Sequence, residues 1–293
     1  MISIRPIKNL IKYLIPFEIR RKIGLYLEDL SFQRYIEEKK KFKSADIFIV
    51  SFPKCGRTWL RLMIGKALIN HFNLKVENPL ILRTLHNYNA EIPRVAVTHD
   101  EKTHKKPSEL KKSKLRFRDK KVILLVRDPR DVVVSLYFHY RYRERRYHGE
   151  LSDFIREKLG SLDTLIMYYN IWERQHHIPK DFLLVCYENI HKNSAKELQK
   201  VLHFMNINYI TEKEICESVE WSRFDNMKKM ERENLFNSSM LSVKCIENEE
   251  SYKVRKGKIG GYKEYLSDED ILYINQKISI NLSDYYWYYK DKV

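Results

Sequence analysis

The sequence predicts an α/β fold in which a central parallel sheet is flanked by helices. Short apolar runs of strand length alternate along the chain with longer stretches in which apolar residues recur at helical spacing. The run at 122–126 is apolar throughout, as expected for a strand that is buried on both faces of a parallel sheet. With 293 residues, 43% of them hydrophobic, the chain can form one large α/β domain.

Residues 1–43 are predicted to form a basic helical extension ahead of the main domain at 44–293. This extension holds eleven Lys or Arg against five acidic residues. Its apolar stripe consists of Ile7, Leu10, Ile11, Leu14 and Ile15. Two interpretations stay open: a helix packed on the core, or an interfacial helix on a membrane surface. Because no signal peptide or membrane-spanning run is recognised, a cytoplasmic location is predicted, with peripheral contact at the inner membrane face as an alternative.

Residues 46–66 predict a strand, a tight basic loop and a helix. The apolar run ends before Gly56, and from Thr58 onward apolar residues recur at helical spacing. N–H groups at the start of a helix favour a bound anion, and Lys54 and Arg57 add cations there. The spacing differs from the Walker A motif, G-x-x-x-x-G-K-[ST]. The segment is therefore predicted to be a phosphate cradle of another kind.

The loop SFPKCGRTW resembles the 5′-phosphosulfate loop of the sulfotransferases, whose pattern is close to YPKSGTTW. The shared positions are Pro53, Lys54, Gly56, Thr58 and Trp59. Cys55 and Arg57 stand where the family has Ser and Thr. Sulfotransferases transfer a sulfuryl group from 3′-phosphoadenosine 5′-phosphosulfate (PAPS) and release adenosine 3′,5′-bisphosphate (PAP). The resemblance implies that the whole loop from Lys54 to Trp59, including Cys55 and Arg57, binds the donor.

A second signature follows the run at 122–126. It resembles the family pattern R-[DN]-P-x-D-x-x-x-S, in which the Arg and the Ser bind the 3′-phosphate. These residues are Arg127 and Ser135 here, with the family spacing. An Arg at a strand end can bind phosphate through two hydrogen bonds, although an ion pair with Asp128 or Asp131 is the alternative. Asp131 is predicted to cap the helix that follows.

A third signature lies in KVRKGKIGGYK. It resembles the family loop R-K-G-x-x-G-D-W-K, which closes over the 3′-phosphate, and it implies that role for Arg255, Lys256 and Gly257. The resemblance also implies adenine contacts from Tyr187, Ser222 and Phe224. For Tyr187, packing in the core is an equal alternative. Together the three signatures span about residues 46–275 and imply a single-domain sulfotransferase fold related to the P-loop kinases.

His99 is the predicted general base. It follows the predicted strand at 94–98, and chemistry in open α/β sheets gathers at the carboxyl ends of strands. His104, in the triplet K-T-H, matches the family text better and is the alternative. Lys54 is the second predicted catalytic residue, because its cation can stabilise negative charge on the transferring sulfuryl group.

Two other functions are considered. A P-loop-type nucleotide kinase would use ATP and Mg²⁺, but the Lys-Ser/Thr pair that positions the metal is missing. A non-catalytic polyanion-binding protein would account for the net charge of +16. Nucleic acid is not a predicted partner, because neither a reading helix nor interleaved aromatic residues are recognised. No metal site is predicted either, since the four cysteines contain no C-x-x-C pair.

The acceptor is predicted only by class: a small molecule, a glycan or a lipid. The segments 71–93 and 137–150 are expected to line its pocket. The second of these is rich in Arg, Tyr and His, which suits a polar or anionic acceptor. The oligomeric state is not predicted.

Overall fold

This computed structural model describes residues 39–40 and 42–291 of the chain. The chain divides into two compact units, Met1–Ala45 and Asp46–Val293. In the described part of the first unit, residues 42–44 are helical. The apolar stripe of the N-terminal extension lies outside the described residues, so its packing or membrane contact stays a prediction.

Four parallel strands form the sheet of the second unit. They are β1 (Ile47–Ser51), β2 (Val95–Thr98), β3 (Lys121–Val126) and β4 (Asp181–Cys186), in the spatial order β2-β1-β3-β4. Strand β1 pairs with both β2 and β3, and all three pairings are parallel. Strand β1 is buried along its whole length, which accounts for its continuous apolar sequence. The predicted parallel sheet flanked by helices is therefore confirmed.

Helices alternate with the strands and cover the sheet. In the described part of the chain they are α1 (Arg57–His71), α2 (Leu82–Leu85), α3 (Pro129–Phe138), α4 (Leu151–Arg156), α5 (Leu162–Gln175), α6 (Tyr187–Lys192), α7 (Ser194–Phe204), α8 (Glu212–Trp221), α9 (Phe224–Arg232), α10 (Asp268–Asn281) and α11 (Trp287–Lys290). Short 3₁₀ turns lie at Pro107–Glu109, Leu115–Phe117, Glu249–Ser251, Gly261–Glu264 and Asp284–Tyr286, and a π-helical turn at His139–Arg143. No helix in these described ranges is long and apolar enough to cross a membrane.

Helix α3 begins earlier than the sequence predicts. Its cap is the side chain of Asp128, which accepts a hydrogen bond from the N–H of Arg130, and Pro129 occupies the first helical position. The prediction that Asp131 caps this helix is therefore wrong. Asp131 lies inside the first turn, where its carboxylate is free to bind another part of the chain.

The C-terminal aromatic residues at 285–289 belong largely to the core. Tyr286 and Tyr289 are fully buried, whereas Trp287 is exposed. The Tyr286 hydroxyl donates to the carbonyl of Tyr169 at 3.0 Å, and the Tyr289 hydroxyl donates to the Glu188 carboxylate at 2.8 Å. Glu188 in turn accepts from the N–H of Asp128, so the C-terminus supports the start of α3.

Candidate active site

A cavity of about 620 Å³ lies at the carboxyl ends of β1, β2 and β3. Its walls come from segments that are far apart in sequence, as expected where parallel strands end at the same edge of a sheet. The predicted site residues that line it are Lys54, Gly56, Arg57, Thr58, Trp59, His99, Arg127, Ser135, Tyr187, Phe224, Arg255, Lys256 and Gly257. The side chains of Cys55 and Ser222 are absent from this lining.

The loop between β1 and α1 turns sharply into the helix. Lys54 and Gly56 both have positive φ values, 72° and 90°. Such a value is uncommon for a lysine and indicates a strained backbone, of the kind found at functional sites. No side chain caps α1 and its first turn has no acidic residue. The N-terminus of α1 therefore presents N–H groups and a positive dipole end to the cavity, as an anion site requires.

Aromatic rings form the wall beside this loop. The rings of Trp59 and Tyr187 meet edge to face with centroids 5.7 Å apart, and the guanidinium of Arg127 lies 4.3 Å from the Tyr187 centroid. A Cβ on Gly56 would lie 2.4 Å from Cδ2 of Tyr187, so only glycine allows this ring to lie against the loop. On the far side, a Cβ on Gly257 would lie 2.3 Å from Cδ2 of Phe224.

Arg127 joins the loop of the third signature to the sheet. Its Nη2 donates to the carbonyl of Lys258 at 2.8 Å and lies 3.4 Å from the carboxylate of Asp131. Asp131 also accepts from the N–H groups of Gly260 and Tyr262, at 2.9 and 3.0 Å. Arg127 keeps a shielded Nε without an acceptor among the described residues. This cation can therefore bind an anion without breaking its ion pair with Asp131.

His99 is neutral and faces the cavity. Its Nδ1 lies 2.8 Å from the carbonyl of Ser51, which can only accept, so Nδ1 carries the proton. Nε2 then accepts a hydrogen bond from Nη2 of Arg57 at 2.8 Å. Burial and, next, the Arg57 cation lower the pKa of His99 to about 3. His104, in contrast, is exposed, does not line the cavity and packs its ring against Tyr140.

Lys54 lies among other cations. Burial and, next, the charges of Lys253 and Arg143 lower the pKa of Lys54 to about 7, although Glu231 acts in the opposite direction. Arg143 is paired with Glu231 at 3.0 Å, which leaves little negative charge for the other cations. An anion that enters the cavity would favour the charged form of Lys54 and would be bound by it.

Comparison with known proteins agrees with these features. A profile described as the sulfotransferase domain matches residues 44–285. The chain belongs to the sulfotransferase family. It is 25% identical over 285 residues to cytosolic sulfotransferase 12 of Arabidopsis thaliana, covering 86% of this chain and 82% of that one. It is 23% identical over 272 residues to amine sulfotransferase of Oryctolagus cuniculus, covering 85% and 87%.

Solved structures show the same fold. Mouse sulfotransferase SULT7A1 complexed with PAP matches with a TM-score of 0.59 and 21% identity, over 85% of this chain and 90% of that one. Retinol dehydratase in complex with androsterone and PAP matches with a TM-score of 0.59 and 20% identity, over 82% and 81%. The predicted sulfotransferase fold and the transferase class are therefore confirmed.

Two predicted site residues of this sulfotransferase direct their side chains away from the cavity. Cys55 is fully buried with Sγ 3.4 Å from the Tyr169 hydroxyl, and burial raises its thiol pKa to about 12. Ser222 is also fully buried, and its hydroxyl donates to the carbonyl of Ser218 one turn earlier, at 2.7 Å. In this arrangement Cys55 can offer a ligand only its backbone, and Ser222 offers no hydroxyl to an adenine ring.

The cavity of the sulfotransferase also contains residues that the sequence analysis missed. Among them are Arg61, Asp131, His139, His191 and Lys253. Some of these could have been found, since residues four apart on a helix share a face: Arg61 follows Arg57, and His191 follows Tyr187. Of the two segments expected to line the acceptor pocket, 137–150 contributes His139, and 71–93 contributes no residue to the lining.

Proposed function

We propose that the protein binds PAPS in this cavity and transfers the sulfuryl group of PAPS to a hydroxyl or amine of an acceptor. The family uses PAPS as donor. One observation carries the proposal: three sequence-distant motifs meet around one cavity that also contains His99. In this proposal the loop from Lys54 to Trp59 holds the 5′-phosphosulfate. The 3′-phosphate binds between Arg127, Ser135 and the loop 255–257.

The adenine would lie between the aromatic walls. Trp59, Tyr187 and Phe224 all line the cavity, and flat rings suit the π-face of a base. The clearance at Gly56 and Gly257 supports this position, because a side chain at either glycine would displace one of these rings. Arg255 lines the cavity, where it donates to the Glu250 carboxylate at 2.9 Å and to the Tyr265 hydroxyl at 2.6 Å.

In the proposed transfer step, His99 acts as the general base. The acceptor oxygen attacks sulfur in line, its proton moves to Nε2 of His99, and the bond between sulfur and the bridging oxygen breaks. The electron pair of that bond stays on the phosphate oxygen of departing PAP. Lys54 and the N–H groups of the loop stabilise this charge. Because Arg57 occupies Nε2 in the structure, the acceptor hydroxyl must take its place before the proton can move.

The acceptor is proposed to be a small molecule. Two relatives are named luciferin sulfotransferase, from Photinus pyralis, and flavonol 4′-sulfotransferase, from Flaveria chlorifolia. Those names describe small hydroxyl-bearing acceptors and support the same class here, with a glycan or a lipid as the alternative. The name of the Arabidopsis relative, a cytosolic enzyme, supports a cytoplasmic location.

Calorimetric titration with PAP, AMP and ATP with Mg²⁺ tests the donor site. We expect the wild type to prefer PAP, and Arg127→Ala to weaken PAP binding about 10-fold to 100-fold, the range for hydrogen bonds to charged groups. AMP has no 3′-phosphate, so its affinity should not change in Arg127→Ala. The control is Arg94→Ala, an exposed arginine at the other end of the sheet. A preference for ATP with Mg²⁺ would instead support a kinase, and binding without nucleotide selectivity a polyanion-binding protein.

A pair of glycine variants tests the adenine position. Gly257 and Gly260 both have positive φ, 63° and 72°, so alanine strains the backbone at both. A new Cβ at Gly257 meets the ring of Phe224, whereas a new Cβ at Gly260 has no atom within 4 Å. We expect Gly257→Ala to weaken PAP binding about tenfold more than Gly260→Ala does, because the ring must move. Equal PAP affinities in the two variants would place the adenine elsewhere.

A further inference from the structure

Among the described residues, three cations that line the cavity have no carboxylate partner in an ion pair. They are Arg57, Arg61 and Lys253, named here the acceptor-side cluster. Arg57 donates to His99, and Arg61 donates to the carbonyl of Leu80 and, at 3.1 Å, to Sδ of Met240. Lys253 donates from Nζ to the carbonyl of Met240 at 2.7 Å. Within the described residues, Nη1 of Arg57 and Nε of Arg61 are shielded and have no acceptor.

This arrangement is unfavourable for the protein by itself. Arg57 and Arg61 are four residues apart on α1, and like charges at this spacing destabilise a helix. Arg57 is the first residue of α1, where the helix dipole also disfavours a cation, and the first turn has no acidic residue. Burial and, next, Arg57 lower the pKa of Arg61 to about 10. An anion bound beside these groups would remove the repulsion and satisfy the shielded N–H groups.

The donor accounts for part of this charge, because the proposed 5′-phosphosulfate loop includes Arg57, and Lys253 lies close enough to Lys54 to lower its pKa. Arg61 lies one turn further along α1, and none of the proposed contacts to the donor includes it. The acceptor-side cluster also reaches the general base, because Arg57 donates to the same Nε2 atom of His99 that must receive the proton of the acceptor. An anion bound to the cluster would therefore lie next to the reacting hydroxyl.

We propose that the acceptor carries an anionic group, a carboxylate or a sulfate ester, close to the hydroxyl or amine that is sulfated, and that the acceptor-side cluster binds this group. The proposal rests on the function proposed above. Pairing with the anion draws the Arg57 guanidinium away from Nε2 of His99 and frees its lone pair. A neutral acceptor leaves the base covered by Arg57. Recognition of the anion and activation of the base are thus linked through one side chain.

The test compares acceptors that carry an anionic group with neutral counterparts. The pairs are 4-hydroxyphenylacetate with its amide, galacturonate with its amide, and galactose 6-sulfate with galactose. Each is titrated into PAP-saturated protein and then assayed for turnover with PAPS. We expect the charged member of at least one pair to have the higher kcat/KM by about 10-fold to 100-fold. The proposal is overturned if, in every pair, the charged member binds and reacts no better than the neutral one.

Arg61 is the residue to vary, because it is placed in neither the donor site nor the proton transfer. We expect Arg61→Gln to remove most of the preference for the charged acceptor while the affinity for PAP stays unchanged. Arg61→Lys, which keeps the cation, should retain part of the preference and shows that loss of folding is not the cause. If Arg61→Gln weakens the binding of PAPS and of the acceptor equally, the cluster binds the sulfuryl group of the donor, and the proposal fails. Failure of PAP to bind wild type would separately refute the proposed function.

Discussion

Replacement of His99 by alanine is expected to lower kcat about 100-fold to 10,000-fold, the usual contribution of a general base. Burial and the Arg57 cation lower the pKa of His99, so Nε2 is unprotonated at neutral pH. Because so low a pKa makes a weak base, Arg57 must leave Nε2 before His99 can accept the proton efficiently. The affinity for PAP should change little, since the proposed donor contacts come from other residues. Turnover with labelled PAPS gives kcat, and calorimetry gives the PAP affinity of the same preparation.

His104 provides the matched control for this experiment. It is the same residue type, lies five positions along the chain, and is exposed outside the cavity. His104→Ala should therefore keep its full kcat. His99→Asn is a second variant that can still donate to the carbonyl of Ser51, so that any loss reports the missing base and not a collapsed loop. If His104→Ala is inactive and His99→Ala is active, the assignment of the base is reversed.

The elements beside the cavity that were predicted correctly are encoded locally. The strand, loop and helix at 46–66 follow from a change of apolar period around one glycine. The same holds for β3 and the residues that follow it, where Arg127 leaves the sheet at the strand end. A strand end fixes the direction of the next side chains, so sequence and geometry agree there.

The parts that were missed depend on contacts between distant segments. The hydrogen bond between Arg57 and His99 joins residues 42 positions apart, and neither α1 nor β2 predicts it alone. Asp131 looked like a helix cap, but Asp128 already fills that role, and the partner of Asp131 is a loop about 130 residues later. Ser222 was assigned from a short resemblance, whereas its hydroxyl is satisfied by its own helix.

The pKa values of buried charged residues also depend on contacts between distant segments. Composition alone cannot distinguish a solvated lysine from a buried one. The packing of 253–255 against α9 brings Lys253 beside Lys54 and places Glu231 between Arg143 and the backbone N–H of Lys253. The depressed pKa of Lys54 results first from burial and then from these neighbouring charges, so a sequence pattern could not have predicted it.

Replacement of Lys54 by methionine is expected to lower kcat about 100-fold to 1,000-fold, as for loss of a group that stabilises transition-state charge. The depressed pKa of this lysine also predicts how nucleotide binding depends on pH. In the empty cavity the pKa is about 7, so Lys54 is largely neutral at pH 8. A bound anionic nucleotide favours the ammonium and raises this pKa, so binding at pH 8 takes up a proton. Affinity for PAP should therefore fall as pH rises above about 7 and level off below it.

Calorimetry in two buffers that differ in ionisation enthalpy, HEPES and Tris at pH 8, measures this proton uptake directly. Wild type should show a clear difference between the buffers. Lys54→Arg keeps a cation at every pH and should lose most of the uptake while it retains part of the rate, whereas Lys54→Met should lose both. Lys253, whose pKa is lowered to about 8, is expected to account for the remaining uptake. Identical binding enthalpies in the two buffers for wild type would mean that Lys54 is already charged in the empty cavity, and that the cations around it do not act on it as the structure indicates.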